Sequence, residues 1–198
     1  MVWPLPMEES EPTRISEQYP EAAALIRKWE SVNQSGQPHL DPYPDYGGKT
    51  YVAGFGRTID SDKKDVPWTV EQAEADLDVQ ISEKLKEIDK LEQKLPKGMS
   101  FTRSEKEALI PFLQNVGYSQ LSGTKAIKAL EEGDKERFAF ELFDAEQGFI
   151  KGTNEEGDKV ILGGLVTRRG EEGSLFSREY NTGGMVQRNP YPYMARPI

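Results

Sequence analysis

The chain has 198 residues, enough for one packed domain or two small lobes. Its 25 Lys plus Arg stand against 34 Asp plus Glu, and the formal charge of −9 argues against a nucleic-acid binder, whose footprint is normally basic. Zero cysteines exclude a disulfide scaffold, thiolate chemistry and Cys-ligated zinc, while a single histidine, His39, argues against a Ser-His-Asp triad or an imidazole metal site. No run approaches the roughly 18 apolar residues of a membrane span, and the N-terminal stretch is Pro- and Glu-rich, so neither membrane insertion nor a secretory signal is expected. No metal or cofactor is implied. Any chemistry then falls to carboxylates, hydroxyls and the backbone.

Residues 1–19 mix three prolines with glutamates and show no period, which predicts an irregular lead-in. Pro20 then opens PEAAALIRKWES as a helix, with proline in the favoured first turn. Ala22, Ala23, Ile26 and Trp29 fall at helical spacing. Glu30 follows Ala23 and Ile26 at steps of three and four, which projects its carboxylate from the buried face. A carboxyl group desolvated against apolar neighbours can stay protonated near neutrality and act as a general acid. The alternative is that Glu30 merely ends the helix and points to solvent.

From Ser31 to Asp45 the sequence is rich in Asn, Ser, Gly, Pro and Asp, and KTYVAGF then supplies a β-prone run. Gly47 and Gly48, between PYPD and KTYV, read as a hairpin turn in a small antiparallel element of two or three strands. Asp41 and Asp45 in this stretch are turn residues by default. Paired with Glu30 across a cleft, either could activate a water, as the second carboxylate of an inverting glycosidase does. Thr69 and Gln72 form a capping box, after which Ala73, Leu77, Ile81, Leu85, Ile88, Leu91 and Leu95 predict a helix of about 26 residues, near 39 Å. Its narrow apolar stripe suits a bridge between two lobes. Pro96 and Gly98 stop it.

A second capping box, Thr102 with Glu105, starts FTRSEKEALIPFLQNVG, in which Pro111 should introduce a kink. KAIKALEEG and KERFAFELFDAE read as two further helices, Gly148 to Gly164 as a Gly-rich loop, and LVTRRGEEGSLFSREY as a last helix. The tail after Tyr180 is rich in Pro and Tyr and has no period. The fold class expected is mostly helical α+β, with one small antiparallel sheet between the first helix and the long one.

This order of elements resembles the phage-type lysozymes, glycoside hydrolase family 24, over roughly residues 20 to 180. The blocks that carry the resemblance are Trp29-Glu30-Ser31, Tyr43-Pro44-Asp45, Val52-Ala53-Gly54-Phe55-Gly56-Arg57-Thr58, PFLQNVG at 111–117, KALEEGD at 128–134 and GLVTRRGEEGSLF at 164–176. The resemblance implies a lead-in over 1–19, a lysozyme-like domain over 20–180 and a tail over 181–198. Within the domain it implies a small lobe at about 31–68, a connecting helix at about 69–95 and a helical lobe at about 100–180. It further implies hydrolysis of the β-1,4 link between N-acetylmuramic acid and N-acetylglucosamine in peptidoglycan, with inversion. The family glutamate falls on Glu30 as the acid and the family aspartate on Asp45.

Three departures bear on the site. Fourteen residues separate Glu30 from Asp45, more than the family pattern holds, so SVNQSGQPHL should form an extra loop and leaves Asp41 as a competitor. The family threonine aligns with Val52 through the glycines and with Tyr51 by counting from Asp45, whereas Thr50 carries the hydroxyl and is our choice. Arg57 replaces the usual histidine, so an ion pair there no longer depends on imidazole protonation.

Tyr46 and Phe55, with Tyr43, are candidates for a sugar-stacking rim, and Gln114 and Asn115 for contacts to N-acetyl groups. Arg168 and Arg169 are expected to pair with Glu171, Glu172 or nearby carbonyls, and His39 to be an exposed loop residue. The partners implied are glycan strands and either a holin for export or virion proteins, with no nucleic acid. A monomer is expected, made in the host cytoplasm and acting in the periplasm or cell wall. Residues 1–24 and 70–95 each carry net −4, so the acidity should lie on the lead-in and on the solvent side of the long helix.

Overall fold

The structure is a computed structural model, and it describes residues 13–45, 50–153 and 158–178. A short helix α1 (Ile15–Gln18) lies inside the stretch expected to be irregular. It is stapled to the rest by Asp78, which accepts from the Ser16 amide at 2.8 Å and from Arg14 Nε at 2.7 Å. Helix α2 (Pro20–Trp29) follows at once with Pro20 in its first turn, and buries Ala22, Ala23 and Ile26.

The small sheet comes next. Strands β1 (His39–Pro44), β2 (Tyr51–Gly54) and β3 (Arg57–Ile59) pair antiparallel in sequence order. The expected extra loop is confined to Ser31–Pro38, because His39 and Leu40 already belong to β1. An irregularity in register separates the His39↔Gly54 and Tyr43↔Val52 pairs. The turn from β2 to β3 pairs Ala53 with Arg57 and holds Gly54 at φ +62° and Gly56 at φ +85°. A Cβ at Gly54 would also lie 3.0 Å from the Trp68 ring, so glycine is required there twice over. The Gly47–Gly48 turn lies outside the described residues.

Helix α3 (Val70–Glu92) opens on the Thr69–Gln72 capping box and has 23 residues. It ends earlier than the apolar stripe suggests, since Gln93–Leu95 form a turn, although Leu95 is still buried. Helix α4 (Arg103–Val116), with its own capping box, runs through Pro111 as one continuous element and buries nine of its fourteen residues. Helices α5 (Lys125–Glu131), α6 (Lys135–Phe143) and α7 (Gly163–Phe176) complete the bundle. The stretch 148–164, expected to be loop, contains a two-stranded hairpin of β4 (Lys151–Thr153) and β5 (Lys159–Ile161). Residues 181–198 lie outside the described part.

One apolar cluster holds these elements together, running from Ala22 and Ile26 through Phe55, Leu77 and Ile81 to Phe112, Phe143 and Phe176. Helix α4 is its axis, packed on α2, α3 and α7. Around Phe176 the rings of Phe101, Phe138 and Phe143 stand with centroids 5.7–6.4 Å away, in the tilted and edge-on range that aromatic pairs prefer. The sheet joins the core through Phe55, placed under α3 and α4 by the Gly54–Gly56 turn. The architecture is mostly helical α+β, as the sequence predicts.

Candidate active site

Glu30 caps the C-terminus of α2, its amide donating to the Ile26 carbonyl at 2.9 Å. Its side chain is 24% exposed, so it neither points freely to solvent nor disappears into the core. The group it meets on the protein side is polar rather than apolar: Arg168 Nη1 on α7 donates to Oε1 at 2.6 Å. The second oxygen, Oε2, faces the Gly56 backbone, where an added Cβ would sit 3.2 Å from it and 3.6 Å from Gln114 Nε2. The carboxylate thus lies where α2, the β2–β3 turn, α4 and α7 converge.

Behind Glu30 is a buried ion cluster that the sequence reading only half anticipates. Arg168 Nε donates to Glu172 Oε1 at 3.1 Å and its Nη2 to the Pro111 carbonyl at 3.0 Å. Arg169 donates to Glu172 Oε2, to Asn115 Oδ1 and, through Nε at 3.2 Å, to the Phe149 carbonyl. Its guanidinium lies 4.8 Å over the Phe112 ring. Burial pushes the Glu172 carboxyl up to about 7, against the pull of Arg169 and Arg168, and burial likewise lowers Arg169 to about 10. Glu171, expected as a partner of the arginines, turns the other way to Lys28 and to Trp29 Nε1 at 2.9 Å.

Asp45 directly follows β1, and its amide donates to the Thr50 carbonyl at 2.8 Å while Thr50 Oγ1 donates to Asp45 Oδ2 at 2.9 Å. The hydroxyl beside Asp45 is therefore that of Thr50. Tyr51 and Val52 are committed to the β2 ladder, opposite Pro44 and Tyr43 respectively. Burial raises the Tyr43 hydroxyl, and the charges of Glu30 and then Asp45 raise it further. The phenol lies within electrostatic reach of both. Asp41 is exposed on β1.

Other expected contacts are redistributed. Phe55 is wholly buried in the core, so its ring has no face for a sugar; the turn that makes room for Glu30 also turns Phe55 inward. Gln114 donates from Nε2 to the Phe55 carbonyl at 3.0 Å and to Gln80 Oε1, leaving its buried Oε1 without a partner among the described residues. Asn115 is exposed, but its carbonyl oxygen is held by Arg169. Tyr46 lies outside the described residues. His39 is not a loop residue: it opens β1, is half-buried and meets the Tyr43 ring at a tilt of 43°, with centroids 4.5 Å apart. Arg57 binds Asp76 at 2.8 Å and Glu83 at 3.2 Å on α3. Among the described residues no group of three carboxylates or imidazoles is placed to hold a metal ion.

A sheet and helical bundle meeting at a half-buried glutamate, with an aspartate–threonine pair at the end of β1, define a lysozyme-like α+β protein. Residues 28–172 match the phage lysozyme family, and the chain belongs to it. Among solved structures the chain is similar to the muramidase domain of SpmX from Asticaccaulis excentricus, at 21% identity and a TM-score of 0.63, covering 83% of this chain and 98% of that one. It is also similar to the endolysin of Escherichia coli O157:H7 phage FAHEc1, at 25% identity and a TM-score of 0.58, covering 79% and 90%. A third likeness is to the active form of the P1 phage endolysin Lyz, at 22% identity and a TM-score of 0.60, covering 81% and 84%. A search of curated proteins gives no match. Family membership carries peptidoglycan lysis as the general activity. No helix among the described residues is long and apolar enough to cross a membrane.

Proposed function

We propose that the protein is a muramidase that hydrolyses the β-1,4 bond between N-acetylmuramic acid and N-acetylglucosamine, with inversion. Glu30 donates a proton from Oε2, the oxygen not engaged by Arg168, to the departing glycosidic oxygen. A bound glycan displaces water from this carboxyl group and favours its neutral, proton-donating form. On the opposite face of the sugar, Asp45 takes a proton from the attacking water, which Thr50 Oγ1 helps to orient. The observation that carries this reading is Glu30, a carboxylate 24% exposed that gives one oxygen to Arg168 and leaves the other at the Gly56 turn. The Thr50–Asp45 hydrogen bond supports Thr50 over Tyr51 and Val52.

Glu30→Gln keeps the shape and removes the acid, so clearing of purified peptidoglycan should fall by roughly 10²- to 10⁴-fold while sedimentation with insoluble peptidoglycan is retained. Undiminished clearing by this variant overturns the assignment. Asp45→Asn should lose far more activity than Asp41→Asn; the reverse order would make Asp41 the base. A wild-type protein that binds peptidoglycan and never clears it would instead be a glycan-binding or virion component on a lysozyme fold.

A further inference from the structure

Arg168 presents a problem for any acid at Glu30. A guanidinium 2.6 Å away attracts the ionised carboxylate, whereas proton transfer to a leaving group needs the neutral acid. The same guanidinium is engaged from behind by Glu172, whose side chain is wholly buried, and Arg168 itself is only 5% exposed. We propose that Glu172 is a positioning residue for the reaction: it orients Arg168 so that Nη1 meets Glu30 Oε1, and it draws on the charge of Arg168 so that Glu30 can keep its proton. This inference rests on the muramidase reading of Glu30.

The geometry leaves Arg168 little freedom. Nε is held by Glu172, Nη2 by the Pro111 carbonyl, and Nη1 is left to point at Glu30. Arg169 closes the cluster on its far side, engaging the second oxygen of Glu172, and α4 contributes the neutral Asn115 amide. With Glu172 ionised, the charged groups here are Arg168, Arg169 and Glu172 on α7 and Glu30 on α2, two positive and two negative. Next along α7 and α2, Glu171 and Lys28 pair with each other, while α6 packs on α7 with Phe138 and Phe143 against Phe176. Buried ion clusters seldom stabilise a fold better than apolar packing does, so one placed directly behind a half-buried carboxylate fits a positioning role. Loss of the negative charge at 172 leaves both guanidiniums to act on Glu30.

The test follows the titration of the Glu30 side chain by carbon-13 NMR with carboxyl-labelled glutamate, beside kcat and KM on solubilised peptidoglycan across pH. In Glu172→Gln the Glu30 titration and the alkaline limb of kcat should both move down by about one pH unit, with kcat at neutral pH about tenfold lower and KM within about twofold. Glu172→Asp should restore most of the shift. Should Glu172→Gln not fold, Glu172→Gln with Arg169→Gln keeps the cluster neutral overall and, with Arg168 the one guanidinium left in it, should show a smaller move in the same downward direction. A Glu30 titration that stays at its wild-type position in the folded variant overturns the proposal, even if stability falls. Wild-type protein that fails to clear peptidoglycan would refute the muramidase reading instead, and the NMR titration still reads the coupling without turnover.

Discussion

Gly56 is the residue on which the site closes most tightly. At φ +85° it adopts a left-handed conformation, and an added methyl group would sit 3.2 Å from Glu30 Oε2. Two penalties therefore coincide in Gly56→Ala: backbone strain of about 1–2 kcal/mol, and pressure on the oxygen assigned to proton donation. Denaturant unfolding should show a loss of that size, and clearing of peptidoglycan should drop by at least about tenfold, since each 1.4 kcal/mol on the barrier is a factor of ten. Stability lost with clearing intact would separate Glu30 from the glycine. Spacing from Ala23 and Ile26 places Glu30 on the buried side of its helix, and Asp45 stands before the turn, but the roles proposed for both come from the family resemblance and not from those local signals. Arg168 as the partner of Glu30 is not legible, because the two lie 138 positions apart and no local period encodes the contact.

At the scale of elements, the two capping boxes show how a local signal is converted into structure. Thr69 and Gln72 exchange hydrogen bonds at the start of α3, and Thr102 and Glu105 do so at the start of α4. Thr69→Ala removes one exposed cap and should cost about 1 kcal/mol, a fall in Tm of about 2–4 °C. Glu105→Gln should cost more, about 3 kcal/mol, because Glu105 is wholly buried and pairs with Lys135 Nζ at 2.7 Å, whose side chain is 13% exposed. Equal losses for the two variants in calorimetry would show that Lys135 finds another partner. The long helices are legible because their apolar periods repeat over several turns. Helix α1 has four residues and β4 and β5 three each, too few for a period to appear, so they vanish into the segments expected to be irregular.

Over the whole molecule, the excess of acid proves to have a structural use. The expectation that α3 turns its carboxylates to solvent holds only in part. Glu74 binds Arg14 and Arg27, Asp78 binds Arg14, and Asp76 and Glu83 bind Arg57. Helix α3 thus gathers arginines from the segment before α1, from α2 and from β3. Composition records the charge and cannot record which acids are spoken for, since the arginines arrive from three other elements.

The Arg57 joint has a consequence for the conditions under which the sheet stays on α3. A guanidinium does not lose its proton anywhere in the range where an imidazole does, so acidification around neutrality leaves this joint untouched. Arg57→His would replace it with a titrating one. Beside Asp76 an imidazole gains affinity for its proton, so its contribution would be whole below the ordinary histidine value of about 6.5 and would fade as pH rises through the higher folded value. Melting curves of the variant should therefore drop below the wild-type trend between about pH 6 and pH 8, and parallel trends would mean that Glu83 and the packing of β2 on α3 suffice without the pair. One side chain would decide whether the seam between sheet and α3 is blind to acidity or keeps a record of it.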